Sequence, residues 1–359
     1  MKNAKKFLAL ALALVMSLSL VACGGGSEEA PKEEEKAPVE EQAPSTSGGE
    51  EMTIKVATIH YDGSVGVRCL EAMEEFLETE TDGRIQVEIY SGGVLGDWTA
   101  ALDMCYNNDI QIDVLNPVSF EKQVPELALL NQYYAFDDLD HLHNFFDGEG
   151  GDFIWESWHK IGLHGLSLLS LGFRELYNSK HPVETMEDLQ GLKIRGYSTV
   201  QMAAWDAVGV DAVSIDWNEL FVSLQQKLID GEEGAIVNFE DYSFYEVQPY
   251  FTMTDHVFGC DMAVCNLEWY ESLSAEDQAL IDEAGQICTT YHKEHYIPEN
   301  EALLEKFASE YGTQINELDP AVKAEMAEKM SAATQKEIVA ITGQETFDHY
   351  MALVDAARG

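Results

Sequence analysis

Arg174 and Arg195 are the residues of this chain best suited by type and setting to hold an anion. Each closes a short apolar run, Leu168, Leu169 and Leu171 before the first, Leu192 and Ile194 before the second. Such runs predict buried strands. An arginine at the end of a strand, next to a glycine (Gly172 and Gly196 here), carries its guanidinium to the loop edge of a sheet. Open α/β folds bind their ligands there, in the crevice beyond the strand ends. The planar fork suits a carboxylate, which it can meet with two parallel hydrogen bonds. The competing role is an internal ion pair, because the chain has 65 acidic residues against 21 basic ones.

The elements that must position these groups form two α/β units. Residues 53–59 (TIKVATI) read as a strand, a helix follows with Leu70, Met73 and Leu77 on one face, and 84–90 (RIQVEIY) alternate as a second strand. Asp97 caps a helix through Tyr106, and 110–116 (IQIDVLN) supply a third strand. Strand–helix alternation of this kind predicts a parallel sheet. The loops after the strands then offer His60, Tyr61, Trp98, Asn116 and Ser119 as one wall of a crevice. The second unit runs from Leu192 through Arg195, a helix from Thr199 to Val208, a strand at 212–214, and a helix carrying Trp217 and Glu219. Asp216 and Glu219 have the spacing of a capping box, which is the competing role for Glu219. Ser274 and Asp277 open a helix expected to run past Tyr291 and to kink or break near Pro298. Residues 320–358 read as amphipathic packing helices with Val322, Met326, Met330 and Ile338 turned inward.

The order G-x-R, a proline turn, E-D-L-x-G-L-K-I-R, A-V-G-V-D-A-V, E-L-F-x-S-L-Q and I-D-G between Gly172 and Gly231 closely resembles the solute-binding proteins of TRAP (tripartite ATP-independent) transporters. Residues 244–258 (FYEVQPYFTMTDHVF), 273–285 (LSAEDQALIDEAG) and 93–97 (GVLGD) continue the likeness. The resemblance implies a two-lobed α/β fold of the type II periplasmic-binding-protein kind, with a ligand cleft between the lobes and a long helix tying them together. It implies lobe I from 52–170 plus about 258–298, lobe II from 171–257, and C-terminal helices 299–359 packed on both. It also implies capture of an organic anion for transporter membrane subunits by a monomeric protein without cofactor or metal. The ligand contacts would be Arg195 in the G-L-K-I-R motif, Arg174, Trp217, Glu219, Tyr61, Trp98, Asn116 and Asn238. At Gly234 the family often has an asparagine, so an amide contact is missing. Trp217 at a variable family position then points to a ligand with a flat or apolar body.

Lys2, Lys5 and Lys6 precede an apolar run from Phe7 to Leu20 and then Leu-Val-Ala-Cys23. This is the pattern of a lipoprotein signal over residues 1–22, with Cys23 as the lipidated first residue of the mature chain. Residues 23–51, rich in Gly, Ser, Pro, Glu and Ala, make an acidic tether that holds the protein to the outer face of a membrane. Removing the three signal lysines from 21 basic residues leaves 18 against 65 acidic ones, a net charge of −47. That balance excludes nucleic acid as a partner and requires any anion site to be local. Cys69, Cys105, Cys260, Cys265 and Cys288 fit no zinc spacing and are expected to be buried thiols. The pairs His141 with His143 and His292 with His295 are expected to be solvated surface rather than metal ligands. No nucleophile elbow, zinc-protease, phosphate-loop or dinucleotide motif occurs. A secreted enzyme acting on organic acids is therefore the weaker alternative, beside a ligand-sensing surface lipoprotein.

Overall fold

The computed structural model describes residues 50–359, so the expected signal, Cys23 and nearly all of the tether lie outside the described residues. In chain order the elements are β1 (Met52–Thr58), α1 (Val65–Glu80), β2 (Ile85–Tyr90), α2 (Trp98–Tyr106), β3 (Ile112–Leu115), α3 (Leu139–Phe146), α4 (Glu149–His159), β4 (Leu163–Asn178), β5 (Lys193–Gly196), α5 (Thr199–Ala207) and β6 (Asp211–Ser214). They continue with α6 (Trp217–Gln225), β7 (Gly231–Ala235), α7 (Ile236–Asp241), β8 (Tyr250–Met253), β9 (Phe258–Asn266), α8 (Leu267–Ser272), α9 (Ala275–Ser309), β10 (Gln314–Glu317), α10 (Pro320–Thr342) and α11 (Gln344–Ala356). The first five elements match the expected α/β unit. Asp97 caps α2 through a side-chain bond from the Ala100 amide, and Leu70, Met73 and Leu77 are buried on α1.

The strands lie in the order β2-β1-β3-β9-β4-β7-β5-β6, with β8 on β4 and β10 on β8. β1 runs parallel to β2 and β3, while β9 returns antiparallel between β3 and β4. β4 is the shared member. Its first part, to Phe173, pairs with β9, and from Arg174 onward it pairs with β7 and β8. Register shifts between Ser170 and Phe173, at the changeover. Gly172 sits there at φ +67°, and a Cβ on it would come within 3.0 Å of the Tyr296 ring. A residue with a side chain would be strained by both the backbone and the contact. The Tyr296 hydroxyl, from α9, donates to the Leu171 carbonyl at the same point. The fold is thus two α/β halves joined through one long strand and buttressed by one long helix.

Several expectations need correction. Arg174 does not end a strand: it lies inside the 16-residue β4, where the chain passes from one half-sheet to the other. α9 is not broken at Pro298 but continues as a helix of 35 residues. The carbonyl deprived of its partner belongs to the exposed Glu294 and can turn to water. His141 and His143 lie on α3 rather than in a loop and are buried, and His292 is fully buried. They are core histidines. His141 Nε2 bonds to the Val354 carbonyl at 2.7 Å, and burial depresses His292 to about 3. The five cysteines are buried free thiols, as expected. Met326, Met330 and Ile338 are fully buried and Val322 partly so.

Candidate functional site

β5 ends at Gly196, and the residue before it delivers the guanidinium that the sequence led one to expect. Arg195 is 5% exposed. Its Nε donates to the Ile215 carbonyl at 2.9 Å and its Nη1 to Glu232 at 3.1 Å. Among the described residues, its Nη2 makes no hydrogen bond. The guanidinium carbon lies 5.2 Å from the centre of the Tyr197 ring and 5.0 Å from that of Trp217, so aromatic faces flank the cation.

Arg174 is used differently. Its Nε meets Glu233 Oε2 at 2.6 Å, and its Nη2 meets Glu233 Oε1 at 3.0 Å and the Glu233 carbonyl at 2.7 Å. Glu233 also holds His256 Nε2 at 2.9 Å and receives the Gln201 side-chain amide. Burial alone pushes Glu233 up, but Arg174 and then His256 outweigh it and hold the carboxyl at about 2. Glu232 is the opposite case. Burial, only partly offset by Arg195, pushes it up to about 7, and its Oε2 has no partner among the described residues. Glu232 and Glu233 are both 0% exposed on β7, a strand the sequence reading did not find. A buried acid survives only beside such partners.

These groups close one side of a cavity of ≈ 460 Å³ that Tyr61, Trp98, Ser119, Arg195, Tyr197 and Trp217 help to line. A further chamber of ≈ 40 Å³ shares Trp98, Arg195, Tyr197 and Trp217 with it and adds Asn116, Asn238, Arg174, His60 and Asp261. Of the expected contacts, Arg195, Arg174, Trp217, Tyr61, Trp98, Asn116 and Asn238 all reach this cleft. Glu219 does not. It is exposed, two residues after Trp217 and so about 200° round α6 from it. The capping box is also unmade, since Asp216 makes no side-chain cap bond and instead lines the large cavity. Tyr61 is 45% exposed and meets Tyr242 edge to face at 5.4 Å, joining the walls at the mouth. The missing amide at Gly234 has a physical counterpart: a Cβ there would fall 2.6 Å from the Tyr177 hydroxyl, which fills the space.

The sequence reading missed Tyr197, Tyr242, Asp261 and the Glu232–Glu233 pair as site residues. A lone aspartate in the apolar run of β9, and two acids between glycines after the apolar Ile229, were the available signals. Opposite the arginines, His60 Nε2 lies 2.9 Å from Asp261 Oδ2. Burial lowers the His60 pKa, but Asp261, and more weakly Asp241, raise it further than burial lowers it. Among the described residues no cluster of three or more metal-ligating side chains occurs.

A two-lobed α/β molecule with a desolvated guanidinium and aromatic walls in its cleft is a solute receptor in architecture. The chain belongs to the bacterial extracellular solute-binding proteins, family 7, whose sequence model matches residues 56–339. A solute-binding protein of Chromohalobacter salexigens is 29% identical over 265 residues, covering 73% of this chain and 78% of that protein. The ectoine-binding periplasmic protein TeaA of Halomonas elongata is 28% identical over 308 residues, covering 83% and 89%. A TRAP periplasmic solute-binding protein from Ochrobactrum anthropi, solved with its C-terminus in the ligand pocket, superposes with TM-score 0.79 at 28% identity over 86% of this chain and 97% of that one. Another from Chromohalobacter salexigens, solved with D-glucuronate bound, gives TM-score 0.79 at 25% identity over 85% and 100%.

Proposed function

We propose that this protein captures a small organic carboxylate outside the cell and hands it to the membrane subunits of a TRAP transporter, with no catalysis of its own. The observation that carries the reading is Arg195: a nearly buried guanidinium with donors to spare, flanked by Trp217 and Tyr197 at a cavity of ligand size. Water competes poorly there, so a charge-assisted fork to a carboxylate is strong. The similar protein solved with D-glucuronate bound and the membership of a solute-binding family support the same reading. In this reading Cys23 carries the lipid anchor, residues 23–51 are the tether, and the lobes (52–170 with about 258–298, and 171–257) close over the ligand. Arg195, Trp217, Trp98, Asn116, Asn238 and Tyr61 are its contacts. Arg174, whose Nε and Nη2 are committed to Glu233, holds the arginine–carboxylate frame in place and reaches the small chamber as a second cationic contact.

A thermal-shift screen of organic acids finds the ligand, since one present at a hundred times its dissociation constant adds about 2.7 kcal/mol of stability. Calorimetric titration of Arg195→Ala then tests the site. The expected loss is about 2 to 5 kcal/mol, roughly 30-fold to several thousand-fold in affinity. Arg195→Lys should recover little of it, because an ammonium cannot reproduce the fork. Binding within about threefold of wild type would show the arginine to be structural.

A further inference from the structure

The wall facing the arginines contains acceptors with nothing to accept. Asp261 lies on β9 and is 3% exposed; its Oδ2 faces His60, while its Oδ1 has no hydrogen-bond partner among the described residues. Asn116, at the end of β3, donates its amide to the Cys260 carbonyl at 3.3 Å, which fixes the orientation of the group. Its Oδ1 is buried and, among the described residues, unpartnered as well. Both residues line the ≈ 40 Å³ chamber that also reaches Arg174 and Arg195. That space holds two or three water-sized groups. A buried acceptor without a donor costs free energy until a donor arrives.

We propose that Asp261, with Asn116, is a specificity-determining acceptor pair that selects a hydroxylated carboxylic acid, one whose hydroxyl groups enter the chamber while its carboxylate meets Arg195. This inference rests on the carboxylate reading of Arg195 and goes beyond it by naming the groups on the rest of the ligand. A chamber of two acceptors rejects an alkyl chain, because the unpartnered oxygens then stay unpartnered; sites built to bond a hydroxyl discriminate strongly for that reason. A cationic donor is the less favoured occupant. His60 already stands 2.9 Å from Asp261 Oδ2 and takes that side of the carboxylate.

Matched pairs of acids test this by calorimetric titration: D-gluconate against hexanoate, D-glucarate against adipate, and D-glycerate against propionate, with ectoine as the cation-bearing arm. At least one hydroxylated member should bind ten or more times tighter than its partner and tighter than ectoine. Asp261→Ala should cut that advantage at least fivefold while moving the unhydroxylated acid less than threefold. Asn116→Ala, at a less buried position, should reduce the same preference and serves if loss of the His60 partner prevents Asp261→Ala from folding. A preference that survives both variants, no hydroxylated member bound ten times tighter than its partner, or ectoine bound tightest would overturn the inference and leave the Arg195 reading standing. If none of the seven compounds binds but other carboxylates do, the inference likewise falls alone. Carboxylates bound equally well by wild type and Arg195→Ala would overturn both.

Discussion

The two arginines of the cleft differ in how much of each the protein itself consumes. Arg174 spends its Nε and Nη2 on the side chain and backbone of Glu233, within a frame that also takes in Gln201 and His256. Arg195 makes two longer bonds, to Glu232 and to the Ile215 carbonyl. Their carboxylate partners differ in the same sense, Glu233 held at about 2 and Glu232 pushed to about 7. Equal burial therefore does not mean equal role. Arg174 is tied by three bonds into the frame of the wall, while Arg195 makes two and lines both cavities beside a buried partner that can take up a proton.

The largest effect should come from breaking the Arg174–Glu233 pair. Arg174→Ala strands Glu233, with Glu232 and the neutral-leaning His256 beside it. Losing one partner of a buried pair costs about 3 to 5 kcal/mol of stability. Denaturant unfolding at neutral pH measures it, and a loss under about 1 kcal/mol would mean that the frame carries little of the fold. The pH dependence of ligand affinity comes next. A carboxylate ligand on Arg195 adds a negative charge near Glu232, whose other neighbours are Arg174, Glu233, Tyr177 and Tyr197. The ligand should push Glu232 above its value of about 7 in the free protein, so binding takes up a proton. The affinity gained in this way is fully present below about pH 7 and is lost as pH rises through the higher value of the complex. The slope approaches tenfold per pH unit, about 1.4 kcal/mol. Titration from pH 6 to 9 should show it and Glu232→Gln should flatten it; a flat wild-type profile would count against the coupling. The smallest effect should be that of Arg195→Ala on folding. Glu232 can accept a proton when its partner goes, so below pH 7 the melting curve should move by only about 1 kcal/mol, well short of Arg174→Ala.

Much of the frame was legible because its elements obey simple periodicities. TIKVATI, RIQVEIY and the Leu70, Met73 and Leu77 face of α1 needed no tertiary knowledge. β7 was not legible: GEEGA has no apolar alternation, and it is buried only because two arginines from other strands neutralise it. The same reason concealed the true position of Arg174, since local sequence shows an apolar run but not that β4 continues through it into a second half-sheet. Helical phase explains the loss of Glu219, whose neighbour Trp217 took the cleft side. The histidines of α3 and α9 misled because charged neighbours such as Asp140 and Lys293 mark the outer faces of helices whose inner faces they share. Asp261 needed the strand order, which alone sets β9 between β3 and β4 and so opposite the arginines.

Whether the ligand goes to Arg195 while Arg174 stays with Glu233 is decided by a crystal structure of the complex with an acid found in the screen. The ligand carboxylate should lie within hydrogen-bond distance of the Arg195 guanidinium, with the Arg174–Glu233 bonds intact. A carboxylate bound instead to Arg174 with Glu233 displaced, or one seated away from both arginines, would contradict it.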